Sequence, residues 1–502
     1  MTRAGRGKNA SKWLSASLLA IALLVGCTME PRYQRPQADL AKEWPTAAGA
    51  SVPAASDIGW REFFADARLQ KLIELALLHN PDARVARLNI AAARAQYQIQ
   101  RASLFPAISA SAVEEVEKYP AAVAGIATSG AGAGGTATAP AAAAGSGVYR
   151  YFDVGVGFTS YELDLFGRIQ SLNRARLQQY LGYVETRRST EISVVAEVAS
   201  AYVTLLADQK LQRITQDTLA SQQDSLELIR MSFDGGVATA LDFQQAQTTV
   251  ATAQANLAQY DRQVAQDQNA LVLLLGTPLP GDLPSGSDLD TEALLSDLPA
   301  GVPSEVLAQR PDVLAAEHNL IAANANIGAA RAAFFPSISL TGSFGTASTQ
   351  LSGLFEHGST AWTFSPQISL PIFAGGANVA GLHLAKAQKD ILVAQYEQSV
   401  QGAFREVADA LVARGTLDRQ MDADAALVDA SAESFRLSSM RFDNGVDNYL
   451  GVLDSQRLLF SAQQSLVNVK LARLQNLVTL YKALGGGWRE HGTTQEPGAA
   501  GR

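Results

Sequence analysis

Residues 81–109, PDARVARLNIAAARAQYQIQRASLFPAIS, return as residues 311–339, PDVLAAEHNLIAANANIGAARAAFFPSIS. Pro81, Asp82, Phe105, Pro106, Ile108 and Ser109 match Pro311, Asp312, Phe335, Pro336, Ile338 and Ser339 at a constant offset of 230. A second pair, FDGGVATALDFQQAQ from residue 233 and FDNGVDNYLGVLDSQ from residue 442, matches at an offset of 209. The offset falls because the first half carries an Ala/Gly-rich insertion between Pro120 and Tyr149. A duplication of this period makes one pseudo-symmetric structure from two like halves, not a row of small repeats.

Around the insertion the pattern alternates. Phe152, Val154, Val156 and Phe158 interleave with Asp153, Gly155, Gly157 and Thr159; Trp362, Phe364, Ile368, Leu370 and Ile372 interleave with Thr363, Ser365, Gln367 and Ser369. Ile338, Leu340 and Phe344 alternate with hydroxyls, and Ala107 to Val116 does so more weakly. Strands of about ten residues, apolar outward and polar inward, are the signature of a transmembrane barrel. Four are too few, since about eight is the smallest barrel known. Several chains must therefore share one barrel.

Between the strands the spacing changes to helical. Ile192, Val195, Ala199, Tyr202 and Leu206, and later Val467, Leu471, Leu474, Val478 and Tyr481, form ladders of three-four spacing, the pattern of coiled-coil packing. No strong breaker interrupts Arg168 to about Ser232, which predicts a helix of roughly 95 Å at 1.5 Å per residue. Each FD-x-G-V then marks a tight helical hairpin, with Gly236 and Gly445 free to turn left-handed.

At the N-terminus, Arg3, Arg6, Lys8 and Lys12 precede an apolar run from Leu14 to Val25, and the run ends at Leu24-Val25-Gly26-Cys27. The run is too short to span a bilayer and reads as a leader. A cysteine directly after small residues resembles a lipobox, so Cys27 is expected to carry a covalent lipid; it is the chain's only cysteine, which excludes an internal disulfide. Thr28 in place of aspartate resembles the outer-membrane sorting pattern.

The chain carries a formal charge of −8, and its leader holds four basic residues and no acid, leaving the remainder near −12. An acidic chain without a basic cluster excludes nucleic acid as a partner. Histidines at 79, 318, 357, 383 and 491 lack metal-ligand spacing, and Gly130 to Gly135 matches G-x-G-x-x-G only within low-complexity sequence. No metal, cofactor or catalytic constellation is expected.

The chain resembles the TolC-like outer-membrane factors of tripartite efflux systems, the NodT family of outer-membrane lipoproteins. The resemblance runs from Cys27 through Trp488 and is carried by PRYQRP at 31–36, WREFFAD at 60–66, YELDLFG at 161–167, GVDNYL at 445–450 and YKALGGGW at 481–488. It implies a mixed α and β membrane protein, four strands and long coiled-coil-like helices per chain, assembled as a homotrimer. The trimer would form a twelve-stranded β-barrel continued by an α-helical periplasmic tunnel. It further implies a passive, non-enzymatic exit channel for small molecules in the outer membrane of a Gram-negative bacterium. Its partners would be outer-membrane lipid, a periplasmic adaptor protein and an inner-membrane RND-type pump.

The expected organisation is a lipoprotein signal peptide at 1–26, a lipidated segment at 27–65, a first repeat at 66–277, a linker at 278–303, a second repeat at 304–484 and a tail at 485–502. Strands are expected at 107–116, 150–163, 336–345 and 362–373, and hairpin tips near 234–241 and 443–450. Leu450, Asp454 and Arg457 share one helix face at i, i+4, i+7. By resemblance these positions form the periplasmic gate: an apolar ring, an aspartate ring and a partner arginine. Gly451 stands where some relatives add a second aspartate, which would weaken a cation-binding ring. Gly235, Gly236, Val237, Asp242, Gly445, Val446 and Asp447 are the expected tip and adaptor contacts. A non-conducting periplasmic coiled-coil spacer, or a duct dedicated to protein secretion or metal-ion export, stays open at this point.

Overall fold

The computed structural model describes residues 28–37, 41, 44, 58–118, 148–290, 298 and 307–490. The leader, Cys27, the insertion at 121–147 and residues 491–502 lie outside the described residues.

In chain order come α1 (Trp60–Phe63), α2 (Ala67–His79), α3 (Pro81–Ala102), β1 (Ile108–Lys118), β2 (Val148–Leu163), α4 (Arg168–Asp234) and α5 (Ala240–Leu275). The second half gives α6 (Pro311–Ala332), β3 (Ser337–Ser348), β4 (Thr360–Ser369), α7 (Ala377–Asp443) and α8 (Tyr449–Ala483). The chain divides into a sheet unit (Met1–Arg35, Ala92–Tyr180, His318–Val393) and a helical unit (Pro36–Ala91, Leu181–Glu317, Ala394–Arg502).

In the sheet unit the strands pair antiparallel in the order β1-β2-β3-β4. The fourth strand spans 360–369, not 362–373. Pro371, two residues beyond its end, has no N–H to donate to a ladder. The other strands also differ from expectation by up to three residues at their ends.

The helical unit holds a large core of α1, α2, α4, α5, α7 and α8 side chains, among them Phe63, Phe64, Leu72, Tyr202, Leu275, Leu480 and Tyr481. The duplication is visible in its bonding. Asn80 caps α3 by accepting from the Asp82 and Ala83 amides, and donates to the Leu274 carbonyl at 2.7 Å. At the matching position Arg310 donates to the Ala483 carbonyl at 2.8 Å and pairs with Asp312 and Glu406. Both receiving helices end in a left-handed glycine, Gly276 (φ 66°) and Gly485 (φ 81°), the residue whose missing side chain permits that turn.

Gly485 to Gly487 are buried against this core, with Trp488 and Arg489 half-buried beside it, although the sequence reads them as the start of a tail. Tyr481 stacks on Phe63 at 4.0 Å, and Gly486 lies so close to it that a Cβ would fall 2.2 Å from the Tyr481 ring. Trp488 sits beneath the Arg188 and Arg489 guanidiniums. α4 contains an 18-residue window apolar enough to cross a membrane by length and composition. Its Val194, Val195, Val198, Ala199 and Tyr202 are instead buried in the core.

Candidate pore and gate surfaces

Directly paired residues of an antiparallel sheet lie on the same face, so the register assigns every strand side chain. One face carries Ile108, Ala110 and Ala112 of β1 beside Phe158, Val156 and Val154 of β2. It continues through Phe344, Leu340 and Ile338 of β3 to Trp362, Phe364 and Ile368 of β4. The other carries Ser109, Ser111, Asp153, Gly155, Gly157, Thr341, Ser343, Thr363, Ser365 and Gln367. Ser343 and Thr363 share a hydrogen bond of 2.7 Å across the strands. The apolar face is bare: Trp362 is 71% exposed and Ile368 70%. Toward the far end the same face carries Glu114, Lys118 and Arg150; the apolar band between them and the helices, four strands wide, would be an aggregation hazard in water, and against lipid it is the stable arrangement.

A register shift between Phe158 and Tyr161, with Ser160 at φ 52°, keeps Tyr161 and Leu163 on the apolar face. Below it, YELDLFG turns the strand into α4. Tyr161 donates to the Leu104 carbonyl, Glu162 pairs with Arg168, Asp164 accepts from the Gln170 amide, and Phe166 stacks on Phe335 at 4.8 Å.

In the helical unit both hairpin tips turn in the same way. The Val237 amide donates to the Ser232 carbonyl at 2.8 Å and the Val446 amide to the Arg441 carbonyl at 2.9 Å, with Gly236 at φ 77° and Gly445 at φ 70°. Val237 and Val446 project into solvent. The tips differ in how the next helix begins. Thr239 and Asp242 form a reciprocal capping box at the start of α5. α8 begins at Asn448 with no side-chain cap, and the position matching Asp242 is Gly451. Asp447 instead pairs with Arg441, which holds its carboxyl below the usual range. The Thr-x-x-Asp capping spacing was legible in the sequence. The Arg441 partnership, reaching across the turn, was not.

α8 buries Tyr449, Val452, Leu453 and Gln456 and leaves Leu450, Gly451, Asp454, Arg457 and Leu458 exposed. Leu450, Asp454 and Arg457 thus share one uncovered strip, with Asp454 and Arg457 joined as an ion pair. Cys27 lies outside the described residues.

A sheet apolar on one face and hydroxyl-rich on the other, with helices of 67 residues, defines a membrane-spanning channel subunit rather than an enzyme. The profile of the outer membrane efflux protein family matches residues 72–277 and 302–486, and the chain belongs to that family. It is 47% identical to the toluene efflux pump outer membrane protein TtgC of Pseudomonas putida, covering 95% of this chain and 97% of that protein. A crystal structure of a Pseudomonas aeruginosa membrane protein superposes with a TM-score of 0.84 at 44% identity, covering 94% of this chain and all of the other. The open state of the Neisseria gonorrhoeae MtrE outer membrane channel gives a TM-score of 0.84 at 40% identity, covering 93% of this chain and all of the other. The protein is an outer-membrane efflux channel.

Proposed function

We propose that three copies of the chain form one duct, gated where their α8 strips converge, which exports small molecules passed on by a periplasmic adaptor and an inner-membrane RND-type pump. Three copies of a four-stranded sheet supply twelve strands, which closes a barrel that one copy cannot. Relatives named for toluene and antibiotic efflux point to small lipophilic compounds and antibiotics as cargo. Cys27 carries a lipid that adds a second hold on the outer membrane.

The observation that carries the gate is the bare strip Leu450–Asp454–Arg457 on a helix whose remaining face is packed. Magnitude favours a role between chains. With side chains 55% and 73% exposed, the Asp454–Arg457 pair is worth only a few tenths of a kcal/mol within one chain. Around a narrow axis three aspartates repel one another unless an arginine or a cation lies between them. Arg457 then holds the ring closed, and cations and pH modulate it. The tips at Gly235, Gly236, Val237 and Asp242, and at Gly445, Val446 and Asp447, meet the adaptor.

Single-channel recording in a planar bilayer tests this reading. The wild type should be mostly quiet, and the Asp454→Ala/Arg457→Ala variant should show discrete ohmic steps. An inserted, folded protein that passes no current in either form would overturn it.

A further inference from the structure

We propose that the helical unit holds a small-molecule site between α4, α7 and α8, and that this site takes a single-ring aryl ammonium. α4 buries no apolar side chain between Leu211 and Ile229, where one core cluster stops and the next begins. The buried residues in that stretch are Thr215 and Gln222. Polar side chains leave the seam unfilled, and a hollow of about 200 Å³ opens beside them. Voids larger than a water molecule are few in a packed interior, and about 150 Å³ suffices for a benzene ring.

The lining divides by chemistry. Phe435 of α7 and Phe460 of α8, both half-buried, supply aromatic walls from two helices. Asp217 of α4 is exposed, and among the described residues it is the only charged group of the lining. Gln456 of α8, 6% exposed, forms the buried side. Its amide donates to the Ser221 hydroxyl at 3.4 Å, longer than an ordinary hydrogen bond. A buried amide held so weakly keeps unmet capacity, which costs free energy until a partner meets it. Together these groups select a ligand. Aromatic walls take a flat ring and also attract a cation. An ammonium, with three donors and no acceptor, suits a carboxylate and an amide oxygen, and an anion would meet Asp217 with repulsion. Gln456 precedes Arg457 and Phe460 follows it by three residues. An occupant therefore braces α8 against α4 and α7 beside the exposed strip.

The test uses the full-length protein in detergent micelles, with 2-phenylethylammonium as probe and 2-phenylethanol as its neutral counterpart. Saturation-transfer NMR, with the signal of empty micelles subtracted, should show saturable binding of the ammonium. A Kd of about 1 mM is ordinary for a ligand of about nine non-hydrogen atoms. The alcohol should bind about tenfold more weakly. Asp217→Asn should weaken binding of the ammonium about tenfold. Asp224→Asn, which removes an exposed charge about two turns further along α4, should leave it unchanged. Thr218→Leu, placed in the lining, fills the hollow and should abolish binding of both probes. If that variant fails to fold, Phe460→Leu, which removes one aromatic wall and keeps an apolar side chain, should weaken the ammonium at least threefold. The bound ammonium should also slow amide exchange across residues 456–463. No saturable binding, equal binding of the alcohol, or equal effects of the two aspartate changes would overturn the site. Undiminished binding in a folded Thr218→Leu variant, or unchanged exchange across 456–463, would overturn it as well.

Discussion

The unequal helix starts at the two tips make the gate-bearing hairpin the looser one. The first turn of α5 has a capping box, worth about 1 kcal/mol. The first turn of α8 has no side-chain cap, and it carries Gly451, which costs about 1 kcal/mol relative to alanine but only about 0.3 kcal/mol relative to Asp242, the residue at the matching position of α5. The Arg441–Asp447 pair offsets little of this, because both side chains are largely exposed. The net difference is about 1 kcal/mol, so α8's first-turn amides should exchange hydrogen roughly fivefold faster than α5's. A Cβ at Gly451 meets nothing within 4 Å. Gly451→Ala should therefore slow exchange at α8 about fivefold without a clash, and it should also lower the open fraction of the channel. Amide exchange read by mass spectrometry on peptides covering 240–246 and 449–455 decides the matter. Equal protection of the two starts, or a faster α5, would refute the reasoning.

Two further outcomes follow from the helical unit. Burial, and then the neighbouring Asp208, push Asp267 up to about 6. A folded value above the unfolded one confers stability at low pH that is lost as pH rises through about 6. Asp267→Asn should thus raise the melting temperature relative to wild type at pH 8, with the gap closing toward pH 4; a gap independent of pH would contradict this. Gly486→Ala drives a Cβ to 2.2 Å from the Tyr481 ring and should destabilise the unit by about 1–3 kcal/mol, visible as a lower melting temperature with the strand signal retained.

Much of this was legible because the signals are local. Period-two alternation marks a strand wherever one face meets lipid, and the alternating cores of all four segments lie in β1 to β4. Left-handed turns need glycine, so Gly236 and Gly445 announced the tips. The spacing 450, 454, 457 necessarily shares a helix face. The strand ends were less legible, because the limit of β4 depends on which donors its partner requires.

The sequence by itself determined the duplication, the strand and helix periods and the turn positions, since each depends on residues close together in the chain. Only the tertiary structure decided what lies far apart. The register, with its shift at Ser160, joined four weak alternations into one apolar face. Trp60 donates to the Arg489 carbonyl at 2.9 Å, and Phe63 stacks on Tyr481, so WREFF and YKALGGGW, near opposite ends of the chain, prove to be halves of one core. Asn324 and Arg331 in the same way donate to the Pro31 and Met29 carbonyls, near the other end of the chain. Pairings across hundreds of residues are selected by the shape and unmet hydrogen bonds of the folded partner, and no periodicity in the chain encodes them.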